Sequence, residues 1–285
     1  MKVLLGVAPQ VWPYFRQSTN QHASKGSDSS RASGVCQPSG VALYFLLPHP
    51  NLPMSDTAVP QLAAFFDVDG TLVHANVVHY YRYLALRRSS VAARIWWYCH
   101  FLPRVPLFLA FDKVDRALFN RFFYRSYAGM PAAQTRADAE QLFADFLGQR
   151  LFPEALETLR LHQQAGCRIV LVTGSLDFIV APLARYLGIT DTLSVALGER
   201  EGRFTGELTT PPLSEGEKAR AVREYAAQHQ LDLRECYAYG NDPADIPMLA
   251  AVGHPVAVNP HGALSRLAAA QGWQVRRWSL PPQPS

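Results

Sequence analysis

The stretch AAFFDVDGTLVHAN, residues 63–76, decides the fold. Its first four residues are apolar, as in a parallel strand covered on both faces, and Asp67 and Asp69 follow directly. Gly70 predicts that the strand ends and the loop turns, so that both acids converge above the sheet edge. Two carboxylates about 4 Å apart repel by roughly 4 kcal/mol at an effective dielectric constant near 20, so a divalent cation or a shared proton must offset them.

Helical and strand patterns alternate after residue 150. Residues 153–166 predict a helix that begins with proline and ends before glycine, and 167–172 predict a buried strand. Residues 192–208 predict two short strands around a glycine-containing turn. Such alternation indicates an α/β fold with a doubly wound parallel, Rossmann-like sheet. Ligands bind at the carboxyl ends of the strands in these sheets, so the two acids are expected at an active site.

The chain is expected to have three parts. Residues 61–74 and 150–280 form the sheet core, and 75–149, which contain no convincing strand, form an inserted all-helical cap. Residues 1–60 are expected to be a disordered tail, since part of this segment is rich in Ser, Gly and Gln. Met54 suggests that the tail is dispensable or that the start codon is misplaced.

Composition narrows the class of protein. Of the 285 residues 48% are hydrophobic and 18% charged, which is typical of a globular protein, and the net charge of +4 is too small and diffuse to indicate nucleic acid. The four cysteines are far apart, which predicts reduced thiols in the cytoplasm. The N-terminus is a poor secretory signal, and no clean apolar run reaches the ~18 residues of a membrane span.

Polar residues follow the later strands in a fixed order. A calcium loop does not explain the first motif, because the positions that would require glycine and glutamate hold Leu72 and Val78. The later residues are Thr173 and Gly174, then Lys218, then Asn241, Asp242 and Asp245. Each of these residues taken alone has an ordinary structural explanation: a hydroxyl at a strand end, a lysine in solvent, or an aspartate at the start of a helix.

The motifs DVDGT, VLVTGS, EGEKAR and YGNDPADIPML, in this order, resemble the haloacid dehalogenase superfamily, specifically its phosphoserine-phosphatase-like subfamily IB with a helical cap. The resemblance spans about residues 63–278. It implies that Asp67 attacks phosphorus, Asp69 acts as acid and base, Thr173 binds phosphoryl oxygens and Lys218 neutralises charge. It further implies phosphate or substrate contacts at Gly70, Thr71, Asn76 and Gly174, and magnesium at Asp67, Asp69, Asn241, Asp242 and Asp245.

Two positions depart from the family pattern. The family usually has aspartate where this chain has Asn241, so magnesium affinity should be lower unless Asp242 compensates. Phosphoserine phosphatases carry a glutamate for the substrate amino group where this chain has Asn76, so a generic phosphomonoester is favoured over phosphoserine.

The cap sequence is basic and aromatic. Between Arg82 and Arg125 it has nine arginine or lysine residues and two aspartates, a net charge of +7. Such a segment could contact nucleic acid, an anionic lipid surface or an amphiphilic phosphate. A cap with its own aromatic core and solvated arginines is favoured instead, with no nucleic acid as partner.

The sequence thus predicts a cytoplasmic, magnesium-dependent phosphatase for a small phosphorylated metabolite, with or without an apolar tail. A phosphotransferase that passes the phosphoryl group from Asp67 to an alcohol is the first alternative. A catalytically weak protein that binds a membrane or an acidic partner through its cap is the second. Oligomeric state cannot be read from the sequence.

Overall fold

The computed structural model describes residues 62–106, 108 and 116–281. The strands are β1 (Ala63–Phe66), β2 (Arg168–Leu176), β3 (Asp191–Val195), β4 (Leu197–Arg200), β5 (Arg203–Leu208), β6 (Tyr237–Gly240), β7 (His254–Val258) and β8 (Gln274–Arg276). Six of them form one parallel sheet in the order β3-β2-β1-β6-β7-β8. The order reverses at β1, so the predicted doubly wound sheet is confirmed, and its ligand crevice is expected beyond the ends of β1 and β6.

Strand β1 is the centre of the core. All four of its side chains are fully buried, and alternate residues pack into two separate hydrophobic clusters, one on each face of the sheet. Phe66 stacks on Tyr239 at a ring distance of 4.3 Å, and Phe65 meets Tyr225 edge-on on the other face at 6.0 Å. Coverage on both faces explains why this strand is continuously apolar and does not alternate.

The described part of residues 77–150 consists mainly of helices joined by short loops. Its helices are α1 (Val77–Leu86), α2 (Val91–Phe101), α3 (Arg116–Tyr124) and α4 (Ala132–Leu142). Short turns of 3-10 or π helix follow at Leu102–Arg104, Arg125–Tyr127, Phe143–Leu147 and Gly148–Arg150. Asn76 and Ser90 cap α1 and α2 through their side-chain oxygens. Tyr81 packs against Trp97, Phe101, Phe123 and Tyr127, which gives these helices an aromatic core.

The remaining helices connect the strands of the sheet. They are α5 (Pro153–Gln164), α6 (Asp177–Leu187), α7 (Gly216–Gln228), α8 (Ile246–Leu249) and α9 (Gly262–Gln271), with a 3-10 turn at Pro243–Asp245 before α8. Within the described ranges, no helix has both the length and the apolar composition needed to cross a bilayer. The predicted tail, 1–60, and the alternative start at Met54 lie outside the described residues. The division of the chain at residues 75 and 149 stays a prediction.

The stretch 192–208 differs from the prediction of two strands. It contributes to three, because β3 pairs in parallel with β2 before the antiparallel hairpin of β4 and β5 begins. Glu201 and Gly202 both have positive φ, 51° and 72°, which suits a two-residue hairpin turn. The hairpin also bonds to the helical segment, since the Ala132 N–H donates to Gly202 O at 2.8 Å and the Phe204 N–H to Met130 O at 3.0 Å.

Candidate active site

Asp67 and Asp69 occupy the loop at the carboxyl end of β1. The Asp67 N–H still donates to Tyr239 O at 2.9 Å, as in the sheet, and the Gly70 N–H then closes a tight turn onto Val73 O at 2.8 Å. Gly70 has φ +87°, and a Cβ there would lie 2.2 Å from Nδ2 of Asn241. The turn therefore requires glycine, and it brings both acids to one cavity.

Lys218 connects this loop to the far side of the site. It is the third residue of α7 and is 5% exposed. Its Nζ donates to Asp67 Oδ1 at 2.6 Å and to Asp245 Oδ1 at 2.7 Å. Burial alone would lower the pKa of Lys218, but the carboxylates of Asp245 and Asp67 outweigh it and hold the pKa above its ordinary value. The lysine is therefore a permanent cation at Asp67.

Asp245 has both carboxylate oxygens occupied. Oδ1 accepts from Lys218, and Oδ2 accepts from the N–H groups of Asn241 and Asp242 at 3.0 Å each. The sequence prediction placed Asp245 among the magnesium ligands. In this arrangement its oxygens hold the lysine and shape the loop after β6, and its place among the magnesium ligands stays a prediction.

Thr71 places Asn241 beside the first acid. Its fully buried hydroxyl lies 2.8 Å from Asp67 Oδ2 and 3.2 Å from Asn241 Oδ1. A hydroxyl has one proton, so it can donate to only one of these two acceptors at a time. Asp67 Oδ2 and Asn241 Oδ1 therefore both lie beside one hydroxyl that can donate to only one of them.

Three hydroxyl groups hold the second acid. The Tyr80 hydroxyl donates to Asp69 Oδ1, and Ser175 and Thr173 donate to Asp69 Oδ2 at 2.6 and 3.2 Å. Burial, together with the nearby Asp69 carboxylate, raises the pKa of Tyr80 well above its usual value, so this hydroxyl keeps its proton. Thr173, predicted to bind phosphoryl oxygens, here contacts Asp69 and accepts the Ser175 N–H.

Sequence reasoning missed several residues of the site. Ser175 had a signal, because it lies two positions after Thr173 and therefore on the same side of a strand. Tyr80 and Asn120 had none, since they come from the helices between β1 and β2. Among the described residues the cavity is lined by Asp67, Asp69, Asn76, Val77, Asn120, Gly174, Leu213, Ser214, Lys218, Asn241, Asp242, Ala244 and Asp245.

Two asparagine amides face the cavity from the helical segment. Asn76 caps α1, and its Oδ1 accepts the N–H groups of Val78 and His79, which leaves its NH₂ group as the free end. Asn120, on α3, also lines the cavity, and its side-chain amide makes no hydrogen bond to any described residue. Both the oxygen and the NH₂ group of this amide are therefore available to a ligand in the cavity.

The residues around Asp67 fit a divalent cation. Within the described ranges no three His, Cys, Asp or Glu side chains form a metal cluster, but Asn241 adds an amide oxygen of the kind that Mg²⁺ accepts. Burial, then the charge of Asp245, raises the pKa of Asp67 to about 7, and the opposing effect of Lys218 does not cancel them. Asp242 Oδ1 caps the next turn by accepting the Ala244 N–H at 2.9 Å, and Oδ2 lies 3.9 Å from His261 Nε2.

Comparisons with known proteins agree with this geometry. Residues 64–250 match the model of the haloacid dehalogenase-like hydrolase family. The chain is 33% identical over 219 residues to phosphoserine phosphatase SerB1 of Mycobacterium tuberculosis, covering 76% of this chain and 71% of that protein. It is 25% identical over 235 residues to a histidinol-phosphatase of Neisseria meningitidis, covering 74% of this chain and 96% of the relative.

A solved structure shares the fold. A protein of unknown function from Bordetella pertussis superposes with a TM-score of 0.64 at 27% identity, covering 76% of this chain and 98% of that one.

Replacing Gly70 by alanine tests the turn. The left-handed backbone there costs a residue with a Cβ roughly 1–2 kcal/mol, and the contact with Asn241 adds to it. Gly166→Ala is the matched control, since Gly166 has φ +75° but nothing lies within 4 Å of the added methyl group. Urea unfolding should show a larger loss for Gly70→Ala, and equal losses would contradict the close approach.

Proposed function

The chain belongs to the haloacid dehalogenase-like hydrolases, and we propose that it is a magnesium-dependent phosphatase that hydrolyses a small phosphomonoester through a phosphoaspartate. Family membership follows from the match over residues 64–250. The relatives named as phosphatases support the reaction class. The magnesium ion and the covalent intermediate rest on the chemistry of the residues around Asp67.

One observation carries the proposal. Asp67 lies at the end of the central strand, two residues before Asp69. Its Oδ1 accepts a hydrogen bond from Lys218 at 2.6 Å, and its Oδ2 accepts one from Thr71 at 2.8 Å. A nucleophile must be held in line with phosphorus, and a cation must balance the charge that the phosphate brings. Lys218 does both, because Asp245 fixes it from the other side.

The first half of the reaction would form the phosphoaspartate. A carboxylate oxygen of Asp67 bonds to phosphorus while the bond from phosphorus to the substrate oxygen breaks. Asp69 gives its proton to that oxygen, so that the leaving group departs as an alcohol. Tyr80 and Ser175 fix the position of the Asp69 carboxyl group for this transfer.

The second half would release phosphate. Asp69, now ionised, removes a proton from water, and the water oxygen bonds to phosphorus as the bond to Asp67 breaks. This step restores both acids. When bound, Mg²⁺ held by Asp67, Asn241 and the Asp69 backbone carbonyl would supply positive charge to the phosphoryl oxygens.

Asn76 argues against phosphoserine as the substrate. Its amide oxygen is occupied as the cap of α1, so the group left for a ligand is a hydrogen-bond donor. A donor cannot bind an ammonium group, but it can bind a hydroxyl, a carbonyl or a phosphate oxygen. We therefore favour a phosphomonoester whose leaving group has a neutral polar part near Asn76 and Asn120.

Of the two alternative functions, one stays open and the other is disfavoured. A phosphotransferase would share the first half of the reaction and stays an open prediction, which added acceptor alcohols would reveal. A binding protein without catalysis is disfavoured, because Asp67, Lys218 and Asp69 stand together in a hydrolase fold. The described cysteines Cys99, Cys167 and Cys236 are free thiols, and the cytoplasmic location stays a prediction.

Asp67→Asn should abolish turnover. An amide cannot replace the attacking carboxylate, so kcat for p-nitrophenyl phosphate with Mg²⁺ should fall on the order of 10⁴-fold or more. Asp232→Asn, which changes a surface carboxylate paired with Arg234, should keep wild-type kcat. Retention of a tenth or more of the rate in Asp67→Asn would contradict the role of nucleophile.

Asn241→Asp should strengthen magnesium binding. It restores a charged ligand, so the dissociation constant for Mg²⁺ should fall by about tenfold or more, equivalent to ~1.4 kcal/mol. Isothermal titration calorimetry on the free enzyme measures it without turnover. Gln228→Glu adds the same charge on an exposed part of α7 and should leave the constant unchanged. An unchanged affinity in Asn241→Asp would place the ion elsewhere.

Asn120→Leu should lower kcat/KM for the preferred substrate more than it lowers hydrolysis of p-nitrophenyl phosphate. If the substrate forms a hydrogen bond with the Asn120 amide, kcat/KM for the best phosphorylated metabolite of a panel should fall about 5- to 150-fold, equivalent to 1–3 kcal/mol. p-Nitrophenyl phosphate should be hydrolysed nearly as before. Gln141→Leu, on an exposed part of α4, is the control. Equal kcat/KM across the whole panel would remove Asn120 from the substrate site.

A further inference from the structure

Helix α2 has apolar side chains on a buried face and on an exposed face. On the inner face Trp97 and Phe101 pack against Tyr81. The outer face is exposed, and its side chains repeat at spacings of four, three and four residues, as one stripe of a helix does. They are Val91 (74% exposed), Ile95 (60%), Tyr98 (38%) and Leu102 (59%), and Trp96 (63%) flanks them.

The same surface carries positive charge. Residues 82–106 contain five arginines and no aspartate or glutamate. Arg87 and Arg88 pair with Asp145 and Asp138. Arg94 and Arg104 are exposed and form no ion pair with any described residue, so their charges remain available beside the apolar stripe.

The mixture of side chains favours one kind of partner. Nucleic acid would use the arginines and the aromatic rings, but Val91, Ile95 and Leu102 have no base to stack on. A second copy across a two-fold axis would bring Arg94 and Arg104 towards their own images, which is unfavourable. An anionic bilayer can bind all three kinds of side chain. The aliphatic side chains would enter among the lipid acyl chains, Trp96 would lie at the interface, and the arginines would pair with the headgroups.

We propose that the outer face of α2, formed by Val91, Ile95, Trp96, Tyr98 and Leu102 with Arg94 and Arg104, docks reversibly on an anionic lipid bilayer. The helix lies in the interface and does not cross it, because 11 residues span only about 16 Å. Docking is independent of the proposed phosphatase reaction, since none of these residues lines the described cavity.

Vesicle co-sedimentation of the full-length protein tests the proposal. The wild type should bind vesicles containing phosphatidylglycerol at least tenfold better than vesicles of phosphatidylcholine alone, and added salt should weaken this binding. Ile95→Asp should reduce binding at least tenfold, and Arg94→Glu should reduce it on the anionic vesicles. The matched control is Leu161→Asp on α5, where Leu161 is 54% exposed, and it should bind like the wild type.

Folding and self-association are followed in parallel. Hydrolysis of p-nitrophenyl phosphate and circular dichroism should be unchanged in all three variants. Absence of vesicle binding by the wild type, equal binding to both vesicle types, or full binding by Ile95→Asp would each overturn the proposal. So would a dimer in sedimentation velocity that Ile95→Asp dissociates, or binding of single-stranded DNA in place of vesicles.

Discussion

The buried ammonium of Lys218, held between Asp67 and Asp245, is the interaction on which the site depends. Charges in an interior are unfavourable unless each has partners, and removal of one partner from a buried pair costs roughly 3–5 kcal/mol. Here one cation joins the loop after β1 to the loop after β6 through α7. The position of Asp67 is therefore fixed by three separate segments of the chain.

That arrangement leaves the site short of positive charge. Asp67 and Asp245 share the single ammonium of Lys218, and the pKa of Asp67 is raised to about 7, first by burial and then by Asp245. The imbalance is useful in a phosphatase because a divalent cation can enter with the substrate. As a proposed ligand, Asn241 would supply an amide oxygen without adding a further negative charge.

Much of the fold was predictable, because the signal is local. The run AAFF followed by DVDG specifies a buried parallel strand and a turn, and the later motifs follow strands in order. The acid pair, Lys218 and the loop of Asn241 could thus be placed at one sheet edge.

Contacts made by the helical segment were not predictable. Tyr80 reaches Asp69 and Asn120 reaches the cavity only because α1 and α3 pack over the sheet, and no spacing in the sequence fixes that packing. The role of Asp245 also needed coordinates, since only they show that both of its oxygens are occupied. The division of 192–208 into β3 and a separate hairpin was not predicted, because the pairing of β3 with β2 is a long-range contact.

Identification of the phosphorylated residue during turnover tests the central claim most directly. Enzyme mixed with excess substrate and Mg²⁺ is quenched in acid and digested, and its peptides are sequenced by mass spectrometry. The account predicts a phosphoryl group on Asp67 that forms and decays at rates compatible with kcat. A phosphoryl group on another residue, or full turnover with none on Asp67, would contradict it.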